Sequence, residues 1–535
     1  MRVAAIGPDP NGKVAILVSV EVYMLFRNDL QEYYNLVLES IGPVEYENLL
    51  FFVHAQHNHE GPDTSGLNVR PINHEYYSYL LQQMRDATIE AINNMEEAYL
   101  FFGQEQFYYG LGDIRDPLMQ DSTLRILQAY RTPDRTGSPI ASIVNWAMHP
   151  EITLGYNPTI NQKDCLKLTP PIPNCSADGR YFTHDYPGHF SNIMTDIQGG
   201  GVSLYFNGAI GCQIGNHADV WEVTSQYPLG NGSVVPSGAT IVPKNFRRAY
   251  LIGRSIAQFA SEIELINLDN PITYGEFDYK EITMMARITN FFFRIGLCPQ
   301  TAVRPNGNPN YPLRIGNSMR EAYICNGNNP TISDCVSDNF AFEYDNVTQL
   351  PYRVGNFMQT EAKYLKLGPM KFITIPGELA PELSIGLPLN FNLPSSIPLY
   401  YDEPEVHATG EAYSMPGVVA DMIGCSPTEP CWFFGLTQDE IGYIFPLSDW
   451  RILCTASEEE CASMHESGAL AYIDSASGYQ CKNITDHPSA SEQYYVSNYG
   501  FETWNYINRT CVYGTLTGEA DDHYEEVYNI FIIFK

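Results

Sequence analysis

The chain reads as an α/β protein, a mixed sheet with flanking helices in one large domain, and three observations carry that expectation. Strand-length runs rich in β-branched and aromatic residues alternate with longer amphipathic runs. Hydrophobic residues make up 44% of the 535 and charged residues 17%, the balance of a chain with a buried core. No window approaches the ~20 apolar residues that a membrane helix needs.

Taken in order, the opening RVAAIGPDPNGKVAILVSV is two apolar runs joined by a turn, which predicts a hairpin whose second strand is Lys13–Val20. It lacks the basic, apolar and small-residue regions of a secretory leader. A chain that begins inside a sheet in this way points to residues preceding Met1. Helices are predicted at Asn28–Ser40, Tyr76–Glu97, Asn245–Glu264 and Glu378–Ile385. The second of these spaces Leu80, Leu81, Met84, Ala87 and Ala91 along one face. Strands are predicted at Asn48–His54, Ser142–Met148, Ser203–Asn207 and Lys371–Ile375. Residues 296–350, rich in Asn, Pro, Gly and Cys, read as loop or insertion. The organisation expected is an α/β core over residues 1–390, with 391–535 an irregular, disulfide-rich continuation of the same domain.

Thirty Lys and Arg against 62 Asp and Glu give a net charge of −32. Phosphate binding needs concentrated positive charge, so nucleic acid is strongly disfavoured and not expected as a partner. Adsorption to anionic membranes is disfavoured for the same reason. Twelve cysteines, mostly in short pairs such as Cys165/Cys175, Cys325/Cys335, Cys425/Cys431 and Cys454/Cys461, suggest disulfide loops and an oxidising compartment. Spacing does not fix the pairing. Sequons at Asn174, Asn231, Asn346, Asn483 and Asn508 agree with a secreted chain.

The densest chemistry is NLLFFVHAQHNHEGPD, residues 48–63, with three histidines at the exit of an apolar strand. Alternation along an extended chain puts His57 and His59 on one face and His54 on the other. Two imidazoles on one face suit a metal, with further ligands drawn from elsewhere. A histidine-bearing strand end bonded to loops is an equal reading of this segment alone. His149 closes a second strand directly before Pro150, at a sheet margin. Glu378 follows a third in PGEL. Singly, His149 reads as a structural histidine and Glu378 as a first-turn helix acid favoured by the dipole.

Together these residues carry a resemblance. HNHEGPD resembles the HTHSGP signature of the neutral (neutral/alkaline, non-lysosomal) ceramidases. The order that follows is similar to that family along nearly the whole chain: DIRDP with Arg115, DSTLRIL, the His-Pro strand end, HDYPGH, LYFNGAIG, PGEL, GLTQDEIGYIFP and DDHYEE. The resemblance implies a secreted Zn²⁺ amidohydrolase acting on ceramide or a related N-acyl lipid through metal-activated water. It implies His57, His149, Glu378 and Tyr443 as ligands of one Zn²⁺, with His59 and Arg115 at the reaction centre. Such a set, two imidazoles, a carboxylate and an oxygen donor, leaves a position for water or a carbonyl. The family's serine position falls here on Gly211, so no serine-based step is expected. A serine hydrolase is further disfavoured because the chain has no G-x-S-x-G elbow. That departure, with 37 tyrosines, keeps open an extracellular structural or binding protein that self-assembles on the same scaffold.

Overall fold

The computed structural model describes residues 1–7, 12–41, 49–65, 73–112, 120–153, 182–211, 213–215, 218–222, 238–272, 277–287, 321–326, 330–344, 351–385, 420, 423–426 and 429–444. The turn at 8–11, Arg115, all five sequons and everything beyond Ile444 lie outside them.

Sheet one is β1 (Arg2–Ile6), β2 (Val14–Val20) and β3 (Leu49–Ala55). β1 and β2 pair antiparallel and form the expected hairpin, whereas β2 and β3 pair parallel. The β2–β3 connection runs through helix α1 (Arg27–Ile41), and helix α2 (His74–Asn93) follows β3. Sheet two is β4 (Tyr99–Gln106), β5 (Thr123–Tyr130), β6 (Ala141–Trp146) and β7 (Val202–Asn207), with β6 and β7 parallel. Helices α3 (Asp185–Gln198) and α4 (Phe246–Glu262) pack on it, and the short pair β8 (Trp221–Glu222) and β9 (Thr240–Ile241) lies between them in sequence.

Sheet three gathers β10 (Phe277–Arg287), β11 (Tyr323–Cys325), β12 (Cys335–Ser337), β15 (Phe357–Leu367), β16 (Met370–Thr374) and β18 (Cys431–Phe434). β13 (Phe342–Tyr344) and β14 (Pro351–Arg353) form a separate hairpin. β17 (Glu378–Leu379) pairs parallel with β19 (Tyr443–Ile444), and helix α5 is Pro381–Ile385. The fold is therefore mixed α/β, as the sequence predicts, but its strands divide among several sheets.

Period-2 burial explains how the sheets stack. Leu17, Phe52, Leu127, Leu204, Phe206, Leu365, Phe372 and Phe434 meet in one apolar cluster drawn from all three sheets. Their strand neighbours Ile16, Phe51 and Val53 turn outward against α1 and α2, while Ile126, Val144 and Tyr205 turn against α3 and α4. Each fully buried aliphatic or aromatic side chain contributes roughly 1.5–3 kcal/mol.

Three parallel pairs, β2/β3, β6/β7 and β16/β18, send their carboxyl ends to one edge. Backbone bonds knit those exits together: Gly435 N donates to Asn207 O, Ala55 N to Leu436 O and Gly211 N to Leu379 O. Sites in such sheets lie beyond the carboxyl ends of the strands. Two disulfides, Cys325–Cys335 and Cys425–Cys431, brace sheet three, and both join expected partners. No helix among the described residues is long and apolar enough to cross a membrane.

Candidate metal centre

Past β3 the chain keeps pairing for a few residues: Gln56 N donates to Val20 O and Asn58 N to Val22 O. That continuation leaves His57 and His59 together on one side, with rings 4.6 Å apart. The register is not a plain strand, because His57 has φ of 61°. A non-glycine there costs on the order of 1–3 kcal/mol and is held by its surroundings. His149 arrives from the exit of β6, its ring 5.1 Å from that of His57. One ligand atom from each of His57, His59 and His149 lies within 4.8 Å of the others.

Glu378 belongs to strand β17 and not to a helix start; helix α5 begins at Pro381. Its carboxylate reaches both imidazoles: Oε2 lies 2.7 Å from His149 Nε2 and Oε1 lies 3.4 Å from His57 Nε2. In the β17–β19 ladder the backbone of Tyr443 is the register partner of Glu378. Three of the four residues expected as ligands thus converge as side chains, and the fourth is aligned with them along the backbone.

The hydrogen-bond partners assign the tautomers. His57 Nδ1 lies 3.1 Å from Tyr23 O and His149 Nδ1 lies 3.2 Å from Gln213 O. A carbonyl only accepts, so each Nδ1 carries a hydrogen, and each ring turns its Nε2 toward Glu378. An ionised carboxylate only accepts as well. Lone pairs at these separations repel unless a proton or a cation lies among them. Burial drives the His57 imidazole far below its usual range, with Glu378 opposing, and holds His59 down to about 3, with His149 and Lys244 adding to the effect. His59 Nε2 is buried without a hydrogen-bond partner among the described residues. Imidazoles whose Nε2 atoms face one carboxylate, together with an orphaned ring nitrogen, form a donor set that fits Zn²⁺.

His54 does not join the cluster. It is buried, with Nδ1 donating to Gly435 O at 2.9 Å and Nε2 accepting from Asn207 N at 3.1 Å. Several residues that build the site carried no separate signal in the sequence. Gln213 is wholly buried; its Nε2 donates to Ala147 O and Ala209 O while its carbonyl accepts the His149 backbone N–H. Tyr23 lies against both histidines of the H-x-H segment. Gln438, with φ of 82°, exchanges two bonds with Val53 on β3, its N donating to Val53 O and its Oε1 accepting from Val53 N. Behind His59, burial and then Asp185 push the Glu60 carboxyl up to about 9.

Gly211 has a definite packing reason. A Cβ there would lie 2.7 Å from Glu378 O and 2.9 Å from Leu379 O, so the glycine lets this loop close on the strand carrying Glu378. A serine would not fit without a backbone shift.

The molecule is thus a mixed α/β protein with a buried histidine–carboxylate cluster at the exits of its parallel strands. No protein-family profile matches the chain, and no curated protein does. Solved structures do resemble it. Neutral ceramidase from Pseudomonas aeruginosa aligns over 95% of this chain and 69% of its own, at 12% identity and a TM-score of 0.47. A ceramidase complexed with C2 aligns over 94% and 66%, at 12% identity and a TM-score of 0.48. The chain spans about two thirds of the length of these structures.

Proposed function

We propose that the protein is a secreted, zinc-dependent hydrolase that cleaves the amide bond of ceramide or a related N-acyl lipid. The observation that carries this reading is the meeting of His57, His149 and Glu378, each from the exit of a different parallel strand pair, with two Nε2 atoms turned toward one carboxylate. His57, His149 and Glu378 would hold Zn²⁺, with Tyr443 as the fourth ligand. When bound, the ion supplies Lewis acidity toward the amide carbonyl and toward water.

The chain's own groups do the rest. Glu378 would compensate positive charge at a buried position and is itself held by Gly442 O, which accepts from its backbone N–H. Tyr23 O and Gln213 O fix which nitrogen of each imidazole is free. His59 and Arg115 would steady the charge that develops as water adds to the amide carbon and the C–N bond breaks, giving a fatty acid and an amine. The lipid-like substrate rests on the sequence motifs shared with neutral ceramidases. Secretion is supported by the two disulfides. Residues beyond 390 are read as part of the same domain, in line with β18 and β19 pairing with β16 and β17.

The test is fatty-acid release from an N-acyl sphingosine together with zinc content. Wild-type chain is expected to hold one Zn²⁺ and release fatty acid, and His57→Ala to do neither while keeping its circular dichroism. Full activity in His57→Ala would exclude the proposal. A second reading, a non-catalytic scaffold that self-assembles, is motivated by glycine standing at the family's serine position 211 and by the 37 tyrosines. A metal-free chain that sediments as an assembly would select it.

A further inference from the structure

We propose that the ring of Tyr23 is a positioning residue of the metal centre, setting the mutual angle of the His57 and His59 imidazoles. This rests on the metal-centre reading given above. The Tyr23 ring stacks on His57, with centroids 4.7 Å apart and planes inclined by 23°. It meets His59 edge-on at 4.8 Å and 71°. The two imidazoles stand at 90° to each other, so one ring braces both members of a perpendicular pair.

The hydrogen bond from His57 Nδ1 to Tyr23 O fixes the direction of one nitrogen but not the tilt of the ring about it. His57 sits in left-handed backbone just beyond a strand, where no regular ladder constrains its side chain. The stack supplies the missing constraint. Stacked and edge-to-face contacts of this kind are preferred arrangements of ring pairs. Their value here lies in geometry, because coordination demands that the Nε2 lone pairs converge on one point.

The brace is itself anchored on both sides. Val22 O accepts from Asn58 N at 3.1 Å, and Met24 O accepts from the Thr64 hydroxyl. Both flanking carbonyls are therefore tied to the segment that bears the histidines, and Val22 and Met24 are buried. Tyr23 moves with that segment as a unit.

The experiment compares wild type with Tyr23→Phe, Tyr23→Ala and Tyr23→Leu. Zn²⁺ affinity is measured by chelator competition, the visible spectrum is taken of each chain loaded with Co²⁺, and folding is followed by circular dichroism. Tyr23→Phe keeps the stacking face and is expected to match wild type. Tyr23→Ala and Tyr23→Leu are expected to bind Zn²⁺ about 10–100-fold more weakly, with an altered Co²⁺ spectrum. Leu keeps bulk without a π-face, so it carries the test should the Ala variant fail to fold. Equal affinity and an unchanged spectrum in Tyr23→Leu would overturn the proposal. A loss in Tyr23→Phe equal to that in Tyr23→Leu would overturn it too, since the hydroxyl would then be responsible. A wild-type chain that takes up no Zn²⁺ fails at the first measurement, before any variant is compared, and overturns the metal centre together with its brace.

Discussion

The strands that build this protein differ between their middles and their carboxyl ends. Midway, Leu17, Phe52, Leu204, Phe372 and Trp432 meet in an apolar cluster. A few residues further along the same strands, His54, Gln56, His57, Asn58, His149, Asn207, Glu378, Thr437 and Gln438 are just as buried. Burying a polar group without a partner costs about 1–3 kcal/mol, and a left-handed non-glycine such as His57 adds to that. The middle gathers apolar burial and the exit edge gathers buried polar groups, with the first sustaining the second.

Four substitutions or conditions sharpen or break that contrast. Phe52→Ala in the middle is expected to lower unfolding stability by about 3–5 kcal/mol in urea titration while leaving the zinc content of the folded fraction unchanged. Glu378→Gln at the edge should weaken Zn²⁺ binding by at least about 100-fold, about 2.7 kcal/mol, in chelator competition. Its amide can donate to His149 Nε2, so the metal-free chain should hold or gain stability. A large stability loss from that substitution would erase the distinction between the two regions.

Gly211→Ser is expected to push the strand of Glu378 aside and weaken Zn²⁺ by about tenfold, without creating a serine-dependent activity that a serine-directed inhibitor would block. Acid titration probes the same edge. His54 has a folded pKa of about 3, depressed by burial, against an ordinary value near 6.5. The unfolded chain therefore binds a proton that the folded chain refuses, and stability present above pH 6.5 is lost as pH falls from 6.5 toward 3. The slope for one such group is at most about 1.4 kcal/mol per pH unit, and His54→Asn should reduce it in urea titrations at stepped pH.

Much of this contrast is legible in the sequence, for local reasons. β2, β3, β6 and β7 announce themselves as runs of Val, Ile, Leu and Phe, and α1, α2 and α4 by helical spacing. β15 does not: FMQTEAKYLKL is rich in helix formers and becomes a strand by pairing with β10 and β16. Helix α3 was hidden because Pro187 and Gly188 fall in its first turn, where they read as a break. At the site, His57, His149 and Glu378 stand at strand ends beside turn residues, which makes them visible. Gln213, Tyr23 and Gln438 act through partners tens to hundreds of positions away, and no spacing rule reports such contacts. The glycine at 211 was visible as a departure, but its reason, the carbonyl of Glu378 2.7 Å from where a Cβ would stand, is a tertiary fact.

The central claim is that one Zn²⁺ is held by His57, His149 and Glu378. Anomalous diffraction at the zinc edge from crystals of the purified chain tests it directly. The account expects a single strong peak within bonding distance of both Nε2 atoms and the Glu378 carboxylate. A zinc-soaked crystal with no peak there, or with its strongest peak on other residues, would contradict it.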